Sequence, residues 1–319
     1  MIRLSRSVDR DQASLITAVI CTRNRGPAVV RTLRTILRND YPNFRLVVVD
    51  QSDDDRTVHA LQPFVDGSGV TYLKMATHGL AAGRNRGIEA APTSRYIAMT
   101  DDDCEVSANW LSAMVSAFEL DARIGLVFGN VLPAPHDRQA GFVPAYERGE
   151  AFLARDIGQK HEVEGIGGCM GVRRDLWETV GGFDEMLGLG APFPAGEEAD
   201  LTIRALLARF FVYETPAVQL VHHGFYTWQD GRSIVYRNWF GTGAMFMKHV
   251  RCGHRSMSSL LCRLAWRWMS ARSRSAASLG NRSYRALRLR AFLSGMLAGV
   301  RVPIDKEMGQ FQRARRYAP

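Results

Sequence analysis

Five short apolar runs, each containing β-branched residues, most constrain the fold: LITAVICT at 15–22, RLVVVD at 45–50, VTYLKM at 70–75, RYIAMT at 95–100 and IGLVFGNV at 124–131. Their apolar cores are continuous rather than alternating. That is the pattern of strands buried on both faces, which belong to parallel sheets covered by helices on each side. The stretches between the runs supply those helices. Within 27–38, Val29, Val30, Leu33, Ile36 and Leu37 share one side at helical spacing, and 80–91 and 108–120 read the same way. The rhythm predicts an α/β chain with a mostly parallel central sheet flanked by helices. In such sheets ligands lie beyond the carboxyl ends of the strands. Asp50 ends the second run and Asp101, Asp102 and Asp103 follow the fourth, so these carboxylates are predicted to converge on one crevice.

The 319 residues suffice for one large α/β domain with an appendage, or for two domains. Beyond about 133 the pattern loosens. A Gly-rich strand or loop at 165–171 precedes a short helix at 174–180. A Gly/Pro loop at 187–196 leads to a helix at 197–209 with Leu201, Arg204, Ala205 and Ala208 at helical spacing, then to the strand AVQLVHHG. The remainder reads as helical. The first thirteen residues are polar and lack the apolar core of a signal peptide, so a flexible N-terminus is expected over 1–13. No run has the length of a bilayer-spanning helix. Cys21, Cys104, Cys169, Cys252 and Cys262 form no CxxC pair, which fits a reduced, cytoplasmic protein.

Charge is unevenly spread. Residues 251–319 hold fifteen Lys and Arg against two Asp and Glu, whereas the whole chain carries +9, so the first 250 residues are net acidic. A basic tail suits a polyanion such as the inner face of the cytoplasmic membrane; the alternative is a solvated helical face. Within the tail, Leu260, Leu261, Leu264, Trp268 and Met269, and again Leu287, Phe292, Leu293, Met296 and Leu297, recur at helical spacing among arginines. Such helices lie in a membrane interface or pack on the rest of the protein.

Three adjacent aspartates at a strand end repel one another unless a cation neutralises them. Hard cations such as Mg2+ or Mn2+ take one or two carboxylates plus substrate phosphates. A helix N-cap is the other use of the cluster, but one residue suffices for it. Asp50 can accept from a base N–H or a ribose hydroxyl, or close an Asx turn. The first run is followed by CTRNRGP, with neither GxGxxG nor a P-loop, so a nucleotide must be held through a metal and arginine contacts. Arg84, Asn85 and Arg86, near the start of a helix, are placed for that. In GEEADL, Glu197, Glu198 and Asp200 suit the positive end of a helix or, for one of them, general-base work. VHHG offers His222 or His223 as a metal ligand, or as core histidines.

Taken together, these blocks resemble the family 2 glycosyltransferases of GT-A fold, and within them the rhamnosyltransferase-like members. The match rests on ITAVICTRNR with VVVDQSDDD, HGLAAGRNRGIEAA, IAMTDDDCEVSANWL, GIGGCMGVRRDLWETVGGFDE, and GEEADLTIRAL followed by VHHG, in the family's order over about two-thirds of the chain. The resemblance implies inverting transfer of a sugar from a nucleotide-diphosphate donor, UDP- or dTDP-linked, to a hydroxyl on a sugar, lipid-linked or other acceptor. It puts Asp50 on the base, Thr22, Asn24 and Arg84 on the nucleotide-sugar, and Asp101 and Asp102 near ribose and diphosphate. Asp103, with His222, would ligate Mg2+ or Mn2+. Glu198 takes the general-base position, where the family more often has Asp, with Glu197 and Asp200 as alternatives. Gln51 departs from the common second Asp of VVDDGS. A catalytic domain is expected over 14–250, its nucleotide half 14–131 and its acceptor half 132–250, followed by a basic helical extension over 251–319. No nucleic acid is expected, and a homo-oligomer is left open. The competing functions are an Mg-dependent nucleotidyltransferase, which usually needs a Gly-rich loop after the first strand, and a non-enzymatic anion- or membrane-binding protein.

Overall fold

Four of the five apolar runs become inner strands of a nine-stranded sheet in the computed structural model, which describes residues 13–65, 69–269 and 282–312; VTYLKM forms its edge strand and is only partly buried. The strands are β1 (Ile16–Thr22), β2 (Phe44–Asp50), β3 (Val70–Lys74), β4 (Tyr96–Asp101), β5 (Cys104–Val106), β6 (Ile124–Pro133), β7 (Gly141–Phe142), β8 (Phe152–Ala154), β9 (Cys169–Arg173), β10 (Phe211–His222), β11 (Tyr226–Thr227), β12 (Ile304–Asp305) and β13 (Gln310–Phe311). The helices are α1 (Val29–Leu37), α2 (Arg56–Val65), α3 (Leu80–Glu89), α4 (Trp110–Glu119), α5 (Arg174–Val180), α6 (Glu197–Leu207), α7 (Trp228–Arg251), α8 (Ser256–Met269) and α9 (Arg282–Val300). The flexible N-terminus expected over 1–13 lies outside the described residues, apart from Ala13.

The main sheet runs β3-β2-β1-β4-β9-β6-β10-β5, with β8 on β10. β1, β2, β3, β4, β6 and β10 share one direction, so the sheet is mostly parallel; β9 enters antiparallel between β4 and β6. The register puts Thr22 beside Asp50 and Cys21 beside Asp101, which aligns the carboxyl ends of β2, β1 and β4.

One face of the sheet packs on α1, α2 and α4 through Leu33, Ile36, Leu61, Trp110 and Phe118. The other packs on α3, α5 and α6 through Ile88, Leu176, Leu201 and Ala205. α3 lies unusually close to β1, since a Cβ on Gly87 would run into Val19. A third core joins α6, α7, α8, α9 and the β12–β13 hairpin around Ile203, Phe246, Phe292 and Phe311. α7 starts at a capping box: Thr227 Oγ1 accepts from Asp230 N–H at 3.3 Å, and Asp230 accepts from Thr227 N–H at 3.0 Å. α7 and α9 cross closely because Gly243 and Gly295 leave room for the facing carbonyls of Phe292 and Phe240.

Local reading missed two kinds of element. α2 is concealed by the acidic turn before it and by Pro63 within it, and the β12–β13 hairpin interrupts a tail that reads as helical. The apolar spacing at 258–272 falls on α8, but most of its side chains, including Trp268 and Met269, lie outside the described residues.

Candidate active site

A cavity of about 650 Å³ opens beyond the carboxyl ends of β1 and β4. Thr22, Arg84, Asp101, Asp102, Asp103, Glu198 and His222 line it, contributed by β1, α3, β4 and the turn after it, α6 and β10. Two expected site residues do not. Asp50 is fully buried, with Oδ1 accepting from Ser52 N–H at 2.9 Å and Oδ2 from Tyr72 Oη at 2.7 Å and Lys74 Nζ at 3.4 Å. Asn24 adopts φ 57°, a left-handed conformation that Asn tolerates. Its amide donates to Asp53 Oδ2 at 2.9 Å and its carbonyl oxygen accepts from Asp53 N–H at 3.0 Å. This clip joins the loops after β1 and β2.

The aspartates differ in surroundings. Asp102 accepts from Thr22 Oγ1 at 2.6 Å and lies 3.3 Å from Arg25 Nε. Burial nevertheless pushes its carboxyl up to about 6, with Asp103 and Asp101 adding to the rise. Asp101 is also raised, by burial first; Arg84 Nη2, 3.6 Å away, opposes this. Asp103 goes the other way. Burial would raise it, but the His222 hydrogen bond and the charges of His222 and Arg25 hold it below the usual carboxylate range.

Asp103 Oδ1 stands 3.2 Å from His222 Nε2, and Asp103 Oδ2 accepts from Arg25 Nη2 at 2.8 Å. The His222 Nδ1 faces the Pro144 carbonyl at 3.0 Å, which places a proton on Nδ1 and turns Nε2 toward Asp103. Burial lowers the imidazole pKa, but the bond and charge of Asp103 more than reverse this. Ligands on adjacent corners of an octahedron of radius ~2.1 Å stand ~3.0 Å apart, so this oxygen and nitrogen fit a small divalent cation. Asp101 and Cys104 also place ligand atoms within 4.8 Å of that histidine. Burial holds the Cys104 thiol well above its ordinary pKa, which makes it a poor ligand for a hard cation. His223 turns away to Glu105, 3.0 Å distant. Gly224 is required here, because a Cβ would lie 2.6 Å from His222 Nε2.

Arg84 is buried. It donates to Glu197 Oε1 at 3.2 Å and to the Gly167 carbonyl at 3.2 Å. A Cβ on Gly167 would sit 2.6 Å from Arg84 Nη2, and one on Gly168 3.1 Å from Asp101 Oδ2. The Gly-rich segment before β9 is thus the close wall of the site.

The acids of GEEADL have three fates. Glu197 is buried; burial, with Glu198 beside it, pushes its carboxyl up to about 8 although Arg84 opposes this. Asp200 is fully buried and bound to Arg204, Lys248 and His249, which hold it well below the usual range against the effect of burial. Glu198 is only half-buried, lines the cavity, and accepts from Gly167 N–H at 3.4 Å. Glu197 predicts a pH dependence of stability. Below the unfolded pKa of 4.5 both states are protonated; between there and about 8 the unfolded chain ionises first, so stability falls as pH rises. Glu197→Gln should flatten that part of the denaturation-midpoint profile; an unchanged slope counts against a neutral Glu197.

Sequence reading passed over Arg25 and Arg237. Arg25 lay in the CTRNRGP loop and is the partner of Asp102 and Asp103. Arg237 sits within a long helix with no motif to mark it, yet it lines the cavity.

The family model for glycosyl transferase family 2 matches residues 17–181. Over 106 residues the chain is 32% identical to a protein of Escherichia coli strain K12 assigned as the colanic acid biosynthesis glycosyl transferase WcaA; the match spans 32% of this chain and 37% of that protein. In fold the chain is similar to mannosyltransferase PcManGT from Pyrobaculum calidifontis, solved with GDP-Man and Mn2+, at TM-score 0.59 and 17% identity over 90% of this chain and 87% of that one. It is also similar to S. aureus TarS 1-349, at TM-score 0.55 and 12% identity over 89% and 72% of the two chains. GalNAc-T7 with UDP, GalNAc and Mn2+ follows at TM-score 0.51 and 17% identity over 68% and 44%. These likenesses show the GT-A fold that the motifs implied.

Proposed function

The chain belongs to glycosyl transferase family 2, and from that premise we propose that it transfers a glycosyl group, with inversion, from a nucleoside-diphosphate sugar to an acceptor hydroxyl, with Glu198 as general base. The observation that carries this reading is the division of labour at the start of α6. Glu197 and Glu198 both line the cavity, but Glu197 is buried and tied to Arg84 and Asp200 is locked in the core, which leaves Glu198 as the half-buried acid of the three without an ion pair among the described residues. In this reading the nucleotide lies on residues 14–131 and the acceptor on 132–250.

Asp103 and His222 would hold the divalent cation, Mg2+ or Mn2+, which when bound offsets the charge that develops on the leaving diphosphate. Arg84, fixed by Glu197 and the Gly167 carbonyl, presents a positive charge to the donor phosphates from the wall of the cavity. Protonation of Glu197 leaves that charge largely available. Thr22 and Asp102, held together at 2.6 Å, bound the ribose side. Asp50 acts on the base through the loop it orders, by its bond to Ser52 N–H. Glu198 takes the acceptor hydroxyl proton as the oxygen attacks the anomeric carbon from the face opposite the nucleotide. A single displacement of this kind needs no covalent nucleophile.

Titration of UDP, dTDP and GDP with and without Mn2+ tests the reading. One of them should bind more tightly with Mn2+, and Asp103→Ala should weaken that Mn2+-dependent binding at least about tenfold. Absence of diphosphate binding, or binding indifferent to Asp103→Ala, counts against it.

A further inference from the structure

The outer face of α9 is apolar where water should favour polar side chains. Leu289, Leu293 and Leu297 recur at every fourth position, with Val300 on the same side, and are 47%, 49%, 67% and 49% exposed. The packing face of the helix is a different one. Ala291 and Phe292 are buried, and Gly295 and Gly299 admit the backbone of α7. The helix therefore carries a second apolar face that no described residue covers. Helical spacing sets Arg285 along one edge of the stripe and Arg290 along the other, both exposed, and exposed Arg301 follows the last helical residue. α9 contains no Asp or Glu.

An exposed apolar patch with a charged rim marks an interaction surface, and the charge selects the occupant. A two-fold pairing of this face with a second copy would set arginine rows against each other with no acid between them. Residues 270–281 and 313–319 of the chain add five arginines and no acid, so their charge opposes docking on the same face. An anionic lipid surface answers both features: leucines enter the headgroup boundary while arginines meet phosphates.

We propose that the outer face of α9 docks on an anionic membrane surface. The helix would lie in the plane of the interface, since among the described residues no helix is long and apolar enough to cross a membrane. α7 lies between α9 and the cavity. It turns Ile234, Asn238 and Thr242 to the cavity and packs on α9 through its other side. Docking therefore holds the cavity wall formed by α7 one helix-to-helix spacing, ~10 Å, behind α9, which itself lies on the surface.

Co-sedimentation of the full chain with sucrose-loaded vesicles tests this. Binding is expected to vesicles of phosphatidylcholine with about a third phosphatidylglycerol and to be much weaker on phosphatidylcholine alone. The double variant Leu293→Gln/Leu297→Gln should lower the partition coefficient at least about tenfold, and Arg290→Gln about fivefold. Leu120→Gln, 65% exposed at the end of α4, should leave it unchanged. Equal binding to both vesicle types, no effect of the leucine pair, or an equal effect of Leu120→Gln overturns the proposal. So does a concentration-dependent dimer, without vesicles, that the leucine pair abolishes. Vesicle partition needs neither donor nor acceptor, so its failure leaves the transfer chemistry untouched.

Discussion

Replacing Glu198 by Gln is expected to lower turnover about 10²–10⁴-fold, the usual contribution of a positioned general base. The amide keeps the size of the side chain and can still accept from Gly167 N–H, so the wall of the cavity stays in place. What it lacks is basicity. Binding of the nucleoside diphosphate should therefore stay within about twofold of the parent, because a loss confined to the transition state appears in kcat rather than in donor affinity. Single-turnover assays together with diphosphate titration separate the two. Retained turnover would move the base to Glu197. Asp200 is a poor substitute, since Lys248, Arg204 and His249 surround its carboxylate and the solvent does not reach it.

Lys248→Met is expected to cost about 3–5 kcal/mol of stability, the penalty for leaving buried charge uncompensated. Lys248 is 0% exposed, and its Nζ lies 2.6 Å from both Asp184 Oδ2 and Asp200 Oδ1. Asp200 keeps Arg204 after the substitution, but among the described residues Asp184 retains no cation, only the backbone N–H groups of Phe311 at 2.8 Å and Met186 at 3.0 Å. His249 cannot take over. Its Nε2 is engaged with Asp200 Oδ1 at 2.8 Å rather than with Asp184. Chemical denaturation measures the loss, and a change below about 1 kcal/mol would place the pair among the ion pairs that hydrophobic replacement tolerates. The parent protein should also weaken in acid. The depressed pKa of Asp200 contributes stability above the unfolded Asp value of 3.8, and that contribution is lost as pH falls toward the folded value. The network ties the start of α6, which carries Glu198, to α7 and to the β12–β13 hairpin, so Lys248→Met should also broaden the placement of the base.

Much of the fold was legible because burial on both faces of a parallel strand leaves an unbroken apolar run. β1, β2, β4 and β6 all carried that signature, and their ends marked the site. Asp101–Asp103 could be singled out because three adjacent carboxylates after a core strand have few purely structural uses. GEEADL was harder, since a helix N-terminus favours acids whether or not they react. Sequence therefore left Glu197, Glu198 and Asp200 as alternatives. Their separation into a buried arginine partner, a half-buried acid without an ion pair and a core ion depends on residues far along the chain, at 84, 204, 248 and 249.

The same limit explains the two histidines and the two arginines. His222 ends β10 and His223 is the next residue, and only the placement of β5 and the Pro144 carbonyl decides which of the two meets Asp103. Arg25 and Arg237 had no motif to announce them. What the sequence by itself determined was the set of parallel strands, the chemistry gathered at their carboxyl ends and the family, because hydrophobic period and motif spacing are local properties. What the tertiary structure alone decided was which charge meets which. Ion pairing, burial and the resulting pKa shifts depend on distances of a few ångströms between residues a hundred positions apart, and no local pattern encodes those.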